Sequence, residues 1–279
     1  MKDILYCPVC KNKLIKEDRT YKCLNNHSYD IAKKGYVNLL LANQHHSDNS
    51  GDEKEMIIAR RDFLNTGKYD ILRNNVLTLI KELLKDYTKI SIGDLGCGEG
   101  YYTTYWHNEL SKVFEASTVG LDLSKEAINQ CSIRKNALKL KDIVFVIGNL
   151  NYLPFLDESL DLIINSFAKI DEKEFLRVLS KGGYYLRILP GTSHLLQMKE
   201  VLYKEVRLNE DKDEDIEGFS FIKKIEFEDN ISLNNKEIND LFKMTPYYYK
   251  SPVDGVKRLT SLESLTTKIA FKILVYKKK

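Results

Sequence analysis

Four residues near the start of the chain, Cys7, Cys10, Cys23 and His27, fall in the spacing C-x2-C-x12-C-x3-H. Three thiolates and one imidazole at such intervals make a closed tetrahedral site for one Zn2+. The Cys7–Cys10 pair bends around the ion, and the excursion that follows lets a short hairpin return Cys23 and His27 to it. The constraint is strong because so short a segment, with so few large apolar residues, does not fold alone. Binding the metal contributes on the order of 10–16 kcal/mol to such modules, and that is folding energy. Four protein ligands leave no coordination position open, so the ion is expected to be structural, one per chain.

The chain has 279 residues, enough for one sizeable domain beside a small accessory one. Its 43% hydrophobic and 30% charged residues describe an ordinary folded protein and exclude a disordered one. No apolar run approaches the roughly 20 residues that span a bilayer, and the start lacks a signal-peptide core. Cys97 and Cys131 have no evident disulfide purpose, which suits a reducing cytoplasm. The net charge of +3 is unevenly spread: residues 1–34 carry eight Lys/Arg against four Asp/Glu, and the remainder is slightly acidic. A basic module on a near-neutral body is suited to a polyanion, because phosphate contacts supply most non-specific affinity for nucleic acid.

The segments divide into a zinc-binding module over 1–41, a linker and helical stretch over 42–88, and a larger domain over 89–279. The polar run Ala42–Glu55, with His45 and His46, reads as a loop. Lys54–Leu64 and Tyr69–Leu84 show apolar residues at helical spacing. From Ile90 onward short strands alternate with helix-length segments. Strands are expected at Lys89–Leu95, Thr118–Leu121, Ile143–Ile147, Leu160–Asn165 and Tyr184–Leu189. Helices are expected at Tyr101–Glu115, Ser124–Ala137 and Asp171–Leu179, then Leu195–Val206 and an acidic loop at Glu210–Glu217. Phe219–Phe227 and Lys268–Tyr276 would add a final antiparallel pair. The pattern predicts an α/β fold with a seven-stranded, mostly parallel, Rossmann-like sheet covered on both faces.

At the end of the first of these strands, Asp94-Leu95-Gly96-Cys97-Gly98-Glu99-Gly100 sets glycines at alternate positions. A dinucleotide site wants G-x-G-x-x-G, so that a helix can receive a pyrophosphate. Here the spacing is G-x-G-x-G, with acidic residues before and inside it. Carboxylates repel a pyrophosphate and suit the ammonium and sulfonium charges of S-adenosylmethionine. Asp122, ending the second strand, is placed for two ribose hydroxyls, and Asn149, after the third, for an adenine edge. These features predict a class I S-adenosylmethionine-dependent methyltransferase domain. Cys97 is a small packing residue there, since nothing near it would lower its pKa.

Several further blocks occur in a fixed order. They are Asp30-Ile31-Ala32-Lys33-Lys34-Gly35-Tyr36-Val37-Asn38-Leu39-Leu40, and Gly51-Asp52 leading into Ala59-Arg60-Arg61-Asp62-Phe63-Leu64. After them come Gly67-Lys68-Tyr69, the stretch from Asp94 to Tyr102, Pro190-Gly191 with His194-Leu195, and Met244-Thr245-Pro246. With the zinc ligands, these make the chain resemble the bacterial 23S rRNA guanine-N1-methyltransferases, the rRNA large subunit methyltransferase A type that includes tylosin-resistance enzymes. The resemblance implies methylation of N1 of a guanine in a 23S rRNA hairpin at the peptide-exit tunnel. It also implies a homodimer whose fingers and catalytic domains flank an RNA cleft, and Tyr69, Gly98, Glu99 and His194 against the cofactor. The Lys-, Asn- and Ile-rich composition fits a low-GC Gram-positive source and the macrolide-resistance branch. One departure stands out. Relatives carry Ala-Pro after the fourth strand, near where the target base enters, whereas this chain has Asn165-Ser166-Phe167-Ala168-Lys169.

Guanine N1 lies on the Watson–Crick edge, so the target must be a loop base or an extruded one stacked on aromatic side chains. Tyr101, Tyr102 and Tyr247–Tyr249 are candidate platforms, and Arg60, Arg61, Lys33 and Lys34 candidate RNA contacts. The proton on N1 must leave, but no Asp or Glu declares itself as base, and the resemblance gives His194 to the cofactor. Two other functions fit parts of the sequence: a small-molecule methyltransferase with a zinc lid, and a non-catalytic rRNA-binding factor on the same fold. Intact Asp94, Gly96, Gly98 and Asp122 weigh against the second.

Overall fold

The computed structural model describes residues 4–42, 54–210 and 215–279. His45, His46, Gly51 and Asp52, and the centre of the acidic 210–217 stretch, lie outside them. The small module opens with a three-stranded antiparallel sheet of β1 (Ile15–Glu17), β2 (Thr20–Lys22) and β3 (Ser28–Asp30). Strand β4 (Val37–Asn38) follows and does not pair with that sheet's three strands. It lies instead parallel to a strand of the large domain, with Val37 beside Val146 and Asn38 beside Ile147.

Two amphipathic helices come next, α1 (Lys54–Leu64) and α2 (Asp70–Leu83). The alternating pattern then unfolds as β5 (Lys89–Leu95), α3 (Tyr101–Leu110), β6 (Glu115–Asp122), α4 (Lys125–Ala137), β7 (Ile143–Ile147), β8 (Leu160–Ser166), α5 (Glu172–Val178), β9 (Leu179–Pro190) and α6 (Leu196–Leu202). The chain closes with β10 (Phe219–Asn234), α7 (Asn235–Lys243), α8 (Tyr247–Lys250), α9 (Val253–Thr260) and β11 (Ser264–Lys278). The large sheet runs β10-β11-β9-β8-β5-β6-β7-β4. Seven strands have the class I methyltransferase arrangement, with β11 antiparallel to β9 and β10, and β4 is an eighth added at the edge. Even β7, next to the edge strand β4, is buried at every residue, as a parallel sheet covered on both faces requires.

Several ends are set by local chemistry. Ser124 caps α4 by accepting from the Ala127 N–H at 3.3 Å. Asp171 does the same for α5 from the Glu174 N–H at 3.0 Å, and Asn234 with Glu237 forms a reciprocal capping box on α7. Helix α3 stops at Leu110 instead of running to Glu115, because residues from Glu115 join β6. Helix α6 ends at Leu202, where Tyr203 turns extended and the expected continuation to Val206 is lost. Helices α7–α9 answer to no element expected from the sequence; α7 packs chiefly on α1 and also touches β10 and β11, and α9 packs on α6.

The sheet separates two cores. On one face Ile92, Leu162 and Ile188 pack with Leu72 and Val76 of α2, Trp106 of α3 and Met198 of α6. On the other, Leu121, Val146, Ile163 and Tyr276 share one cluster with Leu5, Leu14 and Tyr21 of the zinc-binding module. That module is therefore mounted on the sheet by apolar packing as well as through β4. Burial of such residues contributes about 25 cal/mol per Å2 of apolar surface, so its interior side is a structural part of the large domain.

Candidate functional site

The four expected metal ligands converge, with their donor atoms all within 4.8 Å of one another. Cys10 Sγ and Cys23 Sγ are 3.6 Å apart, and His27 Nδ1 lies 3.5 Å from Cys7 Sγ and 3.4 Å from Cys23 Sγ. Tetrahedral zinc with ordinary bond lengths asks for roughly 3.8 Å between sulfurs and roughly 3.6 Å between sulfur and nitrogen. The donor set fits the ion. Two outer groups support it: Tyr29 OH is 3.1 Å from Cys7 Sγ, and Asn12 Nδ2 donates to Cys10 Sγ at 3.4 Å. Such partners orient ligands and stabilise thiolates. The backbone at Asn12 and the neighbouring ligands bring the Cys10 thiol down to about 6, whereas burial pushes Cys23 up.

The second centre lies at the carboxyl ends of β5, β6 and β8, where open α/β sheets bind their ligands. Gly96, Gly98 and Gly100 all have positive φ, at +87°, +55° and +81°. A β-carbon at Gly96 would meet Ala168 at 2.6 Å, and one at Gly100 would meet Cys131 Sγ at 2.9 Å, so those two are glycine for packing as well. The turn is hooked onto β6, because the Gly96 and Cys97 N–H groups both donate to the Leu121 carbonyl, at 2.8 and 3.0 Å.

Around this loop the acidic groups differ in environment. Asp94 is buried; Thr103 Oγ1 donates to its Oδ2 at 2.5 Å, while Oδ1 is buried without a partner. Burial, helped by the nearby Asp122 charge and opposed by Thr103, pushes the Asp94 carboxyl up to about 7. An unpartnered acceptor of this kind fits an ammonium-bearing ligand. Asp122 accepts the Gly98 N–H at its Oδ2 and the Ser124 N–H at its Oδ1, both at 2.9 Å. These bonds fix the carboxylate at the mouth of the loop. Glu99 is 1% exposed and its Oε2 takes Arg134 Nε at 2.6 Å, with Oε1 buried and unpartnered. Asn149 lies just past β7, its Oδ1 accepting the Asn151 N–H at 2.9 Å.

Tyr69 and His194, 125 positions apart, meet as Tyr69 OH and His194 Nε2 at 3.3 Å. The Ala270 N–H donates to His194 Nδ1 at 3.2 Å, which leaves the proton of the neutral ring on Nε2, facing the tyrosine oxygen. Burial brings His194 down to about 4 and raises Tyr69 well above the usual phenol range. Both rings pack on Phe271, at centroid distances of 5.0 and 5.1 Å.

The segment 165–169 closes the site from the side of β8, with Ala168 against Gly96. Asn165 Nδ2 donates to the Leu95 carbonyl at 2.7 Å, tying β8 to β5 just before Gly96, while Asn165 Oδ1 and Ser166 Oγ are buried without partners. Phe167 follows with φ +58°, 46% exposed, its ring 6.1 Å from Phe271. A bulky non-glycine residue in that region is uncommon and carries backbone strain. Nothing in the sequence marks it. Two of the tyrosines singled out from the sequence are taken up by contacts within the protein. Tyr101 is buried, donating to Asp70 and accepting from Arg73 at 3.0 Å, and Tyr102 stacks on Trp106 at 5.4 Å. Tyr248 and Tyr249 remain exposed on α8.

Of the candidate cations, Arg60 reaches toward the glycine loop and donates to the Met244 carbonyl at 3.4 Å. Arg61 turns aside to Asp62 Oδ1, at 2.7 Å from its Nη2. Lys33 and Lys34 are exposed on the turn before β4, and Asn136 Nδ2 of α4 donates to the Lys34 carbonyl at 3.0 Å. Cys97 is buried 4.0 Å from Cys131 Sγ, its thiol pushed up by burial, as suits a packing residue. A cleft of about 1020 Å3 opens at the opposite, amino-terminal ends of the strands. Its His107 is consumed by Thr118 at 2.9 Å and the Lys141 carbonyl at 2.6 Å, and it lies far from the loop's acidic groups.

Comparison with known proteins agrees with both centres. A zinc-ribbon family model described as RlmA, N-terminal, matches residues 5–48, and a methyltransferase-domain model matches residues 86–217. The chain is 31% identical over 214 residues to a candidate 23S rRNA (guanine-N(1)-)-methyltransferase of Micromonospora griseorubida, covering 71% of this chain and 69% of the relative. It is 29% identical over 213 residues to the 23S rRNA (guanine(748)-N(1))-methyltransferase of Streptomyces fradiae, covering 74% and 72%. A candidate enzyme of the same class, YxjB of Bacillus subtilis strain 168, is 25% identical over 277 residues, covering 96% and 95%.

Proposed function

Because the chain belongs to the 23S rRNA (guanine-N1)-methyltransferase family, we propose that it methylates N1 of a guanine in a 23S rRNA hairpin at the peptide-exit tunnel, giving tylosin-type macrolide resistance. One observation carries the reading. Strand β4 is built into the sheet beside β7, so the basic zinc module and the glycine loop form one framework. A nucleic acid bound by the module is thereby presented at a fixed distance from the cofactor. No helix among the described residues is long and apolar enough to cross a membrane. We place the protein in the cytoplasm, acting as a homodimer whose zinc modules (1–41) and methyltransferase domains (89–279), joined by 42–88, flank the RNA.

S-adenosylmethionine supplies a methyl group already activated by its sulfonium, so the protein's work is alignment and exclusion of water. Asp122, held at the mouth of the loop by the Gly98 and Ser124 N–H groups, takes the ribose hydroxyls, and Asn149 meets the adenine edge. Asp94 and Glu99 bring negative charge to the ammonium side, and the glycines allow close backbone approach. His194, neutral and with both ring nitrogens engaged, orients the Tyr69 hydroxyl toward the cofactor and is not the base for the N1 proton. Phe167 offers its exposed face to the extruded guanine. The family's branches differ in which neighbouring guanine they modify, and the segment around Phe167 is where such a choice would be made.

The deciding experiment is incubation with labelled S-adenosylmethionine and bare 23S rRNA, followed by mapping of blocks to reverse transcription, since N1 methylation disrupts pairing. A block at a tunnel-hairpin guanine supports the reading; label incorporated elsewhere, or none, rejects it.

A further inference from the structure

We propose that Arg60 is the receptor for the carboxylate at the methionine end of S-adenosylmethionine, clamping it above the backbone of Gly98. This rests on the cofactor reading given above. That end of the ligand is a zwitterion. The loop's own side chains, Asp94, Glu99 and Asp122, are all acidic; they suit the ammonium group and repel the carboxylate. A cation must come from elsewhere. Two neighbouring arginines are committed: Arg134 to Glu99 at 2.6 Å and to Asn65 Oδ1 at 2.9 Å, and Arg73 to Asp70 at 2.5 Å. Arg61, beside Arg60 in α1, faces away toward Asp62.

The glycines themselves point to Arg60. Gly96 and Gly100 are closed over by protein, but a β-carbon at Gly98 would collide with nothing. Its nearest neighbours would be Arg60 Nη1 at 3.7 Å and Arg60 Cδ at 4.0 Å. The bare backbone at Gly98 thus faces a gap whose far wall is a guanidinium. The Arg60 charge is felt at the loop, where it helps hold the Glu99 carboxyl down against burial. Among its contacts is a long one to the Met244 carbonyl, at 3.4 Å, and a ligand carboxylate matches the guanidinium fork better than a single carbonyl does. Arg60 is thereby assigned to the cofactor and not to RNA phosphate.

The test compares two ligands by calorimetry on the full chain, without turnover. S-adenosylhomocysteine keeps the amino-acid end, and 5′-methylthioadenosine lacks it. Arg60→Met should weaken S-adenosylhomocysteine binding about 10–100-fold and change methylthioadenosine binding less than about twofold. Arg60→Lys, which keeps charge but not the fork, should fall between. Melting curves establish that each variant is folded. Unchanged S-adenosylhomocysteine affinity overturns the proposal, as does an equal loss for both ligands, which would mark a packing role. Weakened RNA binding with intact S-adenosylhomocysteine affinity overturns it in favour of a phosphate contact. Failure of the unaltered protein to bind either ligand would instead overturn the cofactor reading, and this inference with it.

Discussion

Asp94 concentrates the tension between stability and ligand binding in one side chain. Its carboxyl is buried beneath the glycine loop and titrates near 7, above its ordinary 3.8. The fold therefore favours the protonated form. The destabilisation is absent below about pH 4, grows as pH rises through 4–7, and is complete above 7. By the usual conversion of about 1.36 kcal/mol per unit it is on the order of 4 kcal/mol. Asp94→Asn removes the charge and keeps the shape. Its melting temperature should match the unaltered protein near pH 4 and exceed it by about 5–10 °C at pH 8, while S-adenosylhomocysteine affinity falls at least about tenfold. A melting difference that is flat across this range would refute the assignment. Phe167 is the opposite case, strained and exposed. Stacking a base on an aromatic face contributes roughly 1–3 kcal/mol. Phe167→Gly removes the ring and relieves the φ of +58°. It should raise the KM for RNA about 5–100-fold while leaving S-adenosylhomocysteine affinity and melting temperature unchanged or higher. A fall in stability without a change in KM would make Phe167 a packing residue.

The two-residue strand β4 shows what a short element can do. Leu39 N–H donates to the Ile147 carbonyl at 3.0 Å, and Tyr36 and Leu40 pack against the cluster that contains Cys97, Phe145 and Ile147. Its position depends on a module that the metal folds. Cys23→Ser should abolish the one bound zinc, accelerate amide exchange at Leu39 at least about tenfold, and leave Ile92 and Ile163 at the sheet centre protected. Retained zinc, or uniform loss of protection, would contradict this coupling. Elements were legible from the sequence in proportion to how local their causes are. Lys54–Leu64, Lys89–Leu95 and Ile143–Ile147 carry their own periodicity, and the cysteine spacing is a geometric statement by itself. Strand β4 was not legible, because Val37 and Asn38 become a strand only when β7 offers an edge more than 100 positions later. Helices α7–α9 were missed for a related reason: they are short, and their apolar faces are covered by distant helices, α7 chiefly by α1 and α9 by α6. In the site, Asp94, Asp122 and the glycines were readable as a motif. The positive φ of Phe167 and the reach of Arg60 to Gly98 are products of tertiary packing.

Across the whole molecule, charge and rigidity act together. The first 34 residues hold eight Lys/Arg against four Asp/Glu, although the full chain is only +3. A polyanion is therefore drawn to one end of a molecule whose other end is nearly neutral. The Lys33–Lys34 turn is fastened to α4 through Asn136, and α4 packs beneath the loop through Cys131, so a phosphate bound at that turn is tied in position to the cofactor end of the sheet. If the basic face binds RNA, the logarithm of affinity must fall linearly with the logarithm of salt, since each neutralised phosphate releases counterions. For a hairpin with single-stranded loop character the slope is about −0.7 per contact. Replacing Lys33 and Lys34 together by Gln should make that slope shallower by between one and two units and weaken binding to any RNA by a similar factor. Neither S-adenosylhomocysteine affinity nor zinc content should change, because neither lysine touches those sites. The result separates the functions that the fold alone leaves together. A small-molecule methyltransferase with a zinc lid would show no salt slope to lose. An unaltered slope in the double variant would move the RNA to another face and leave the basic module a solvated surface.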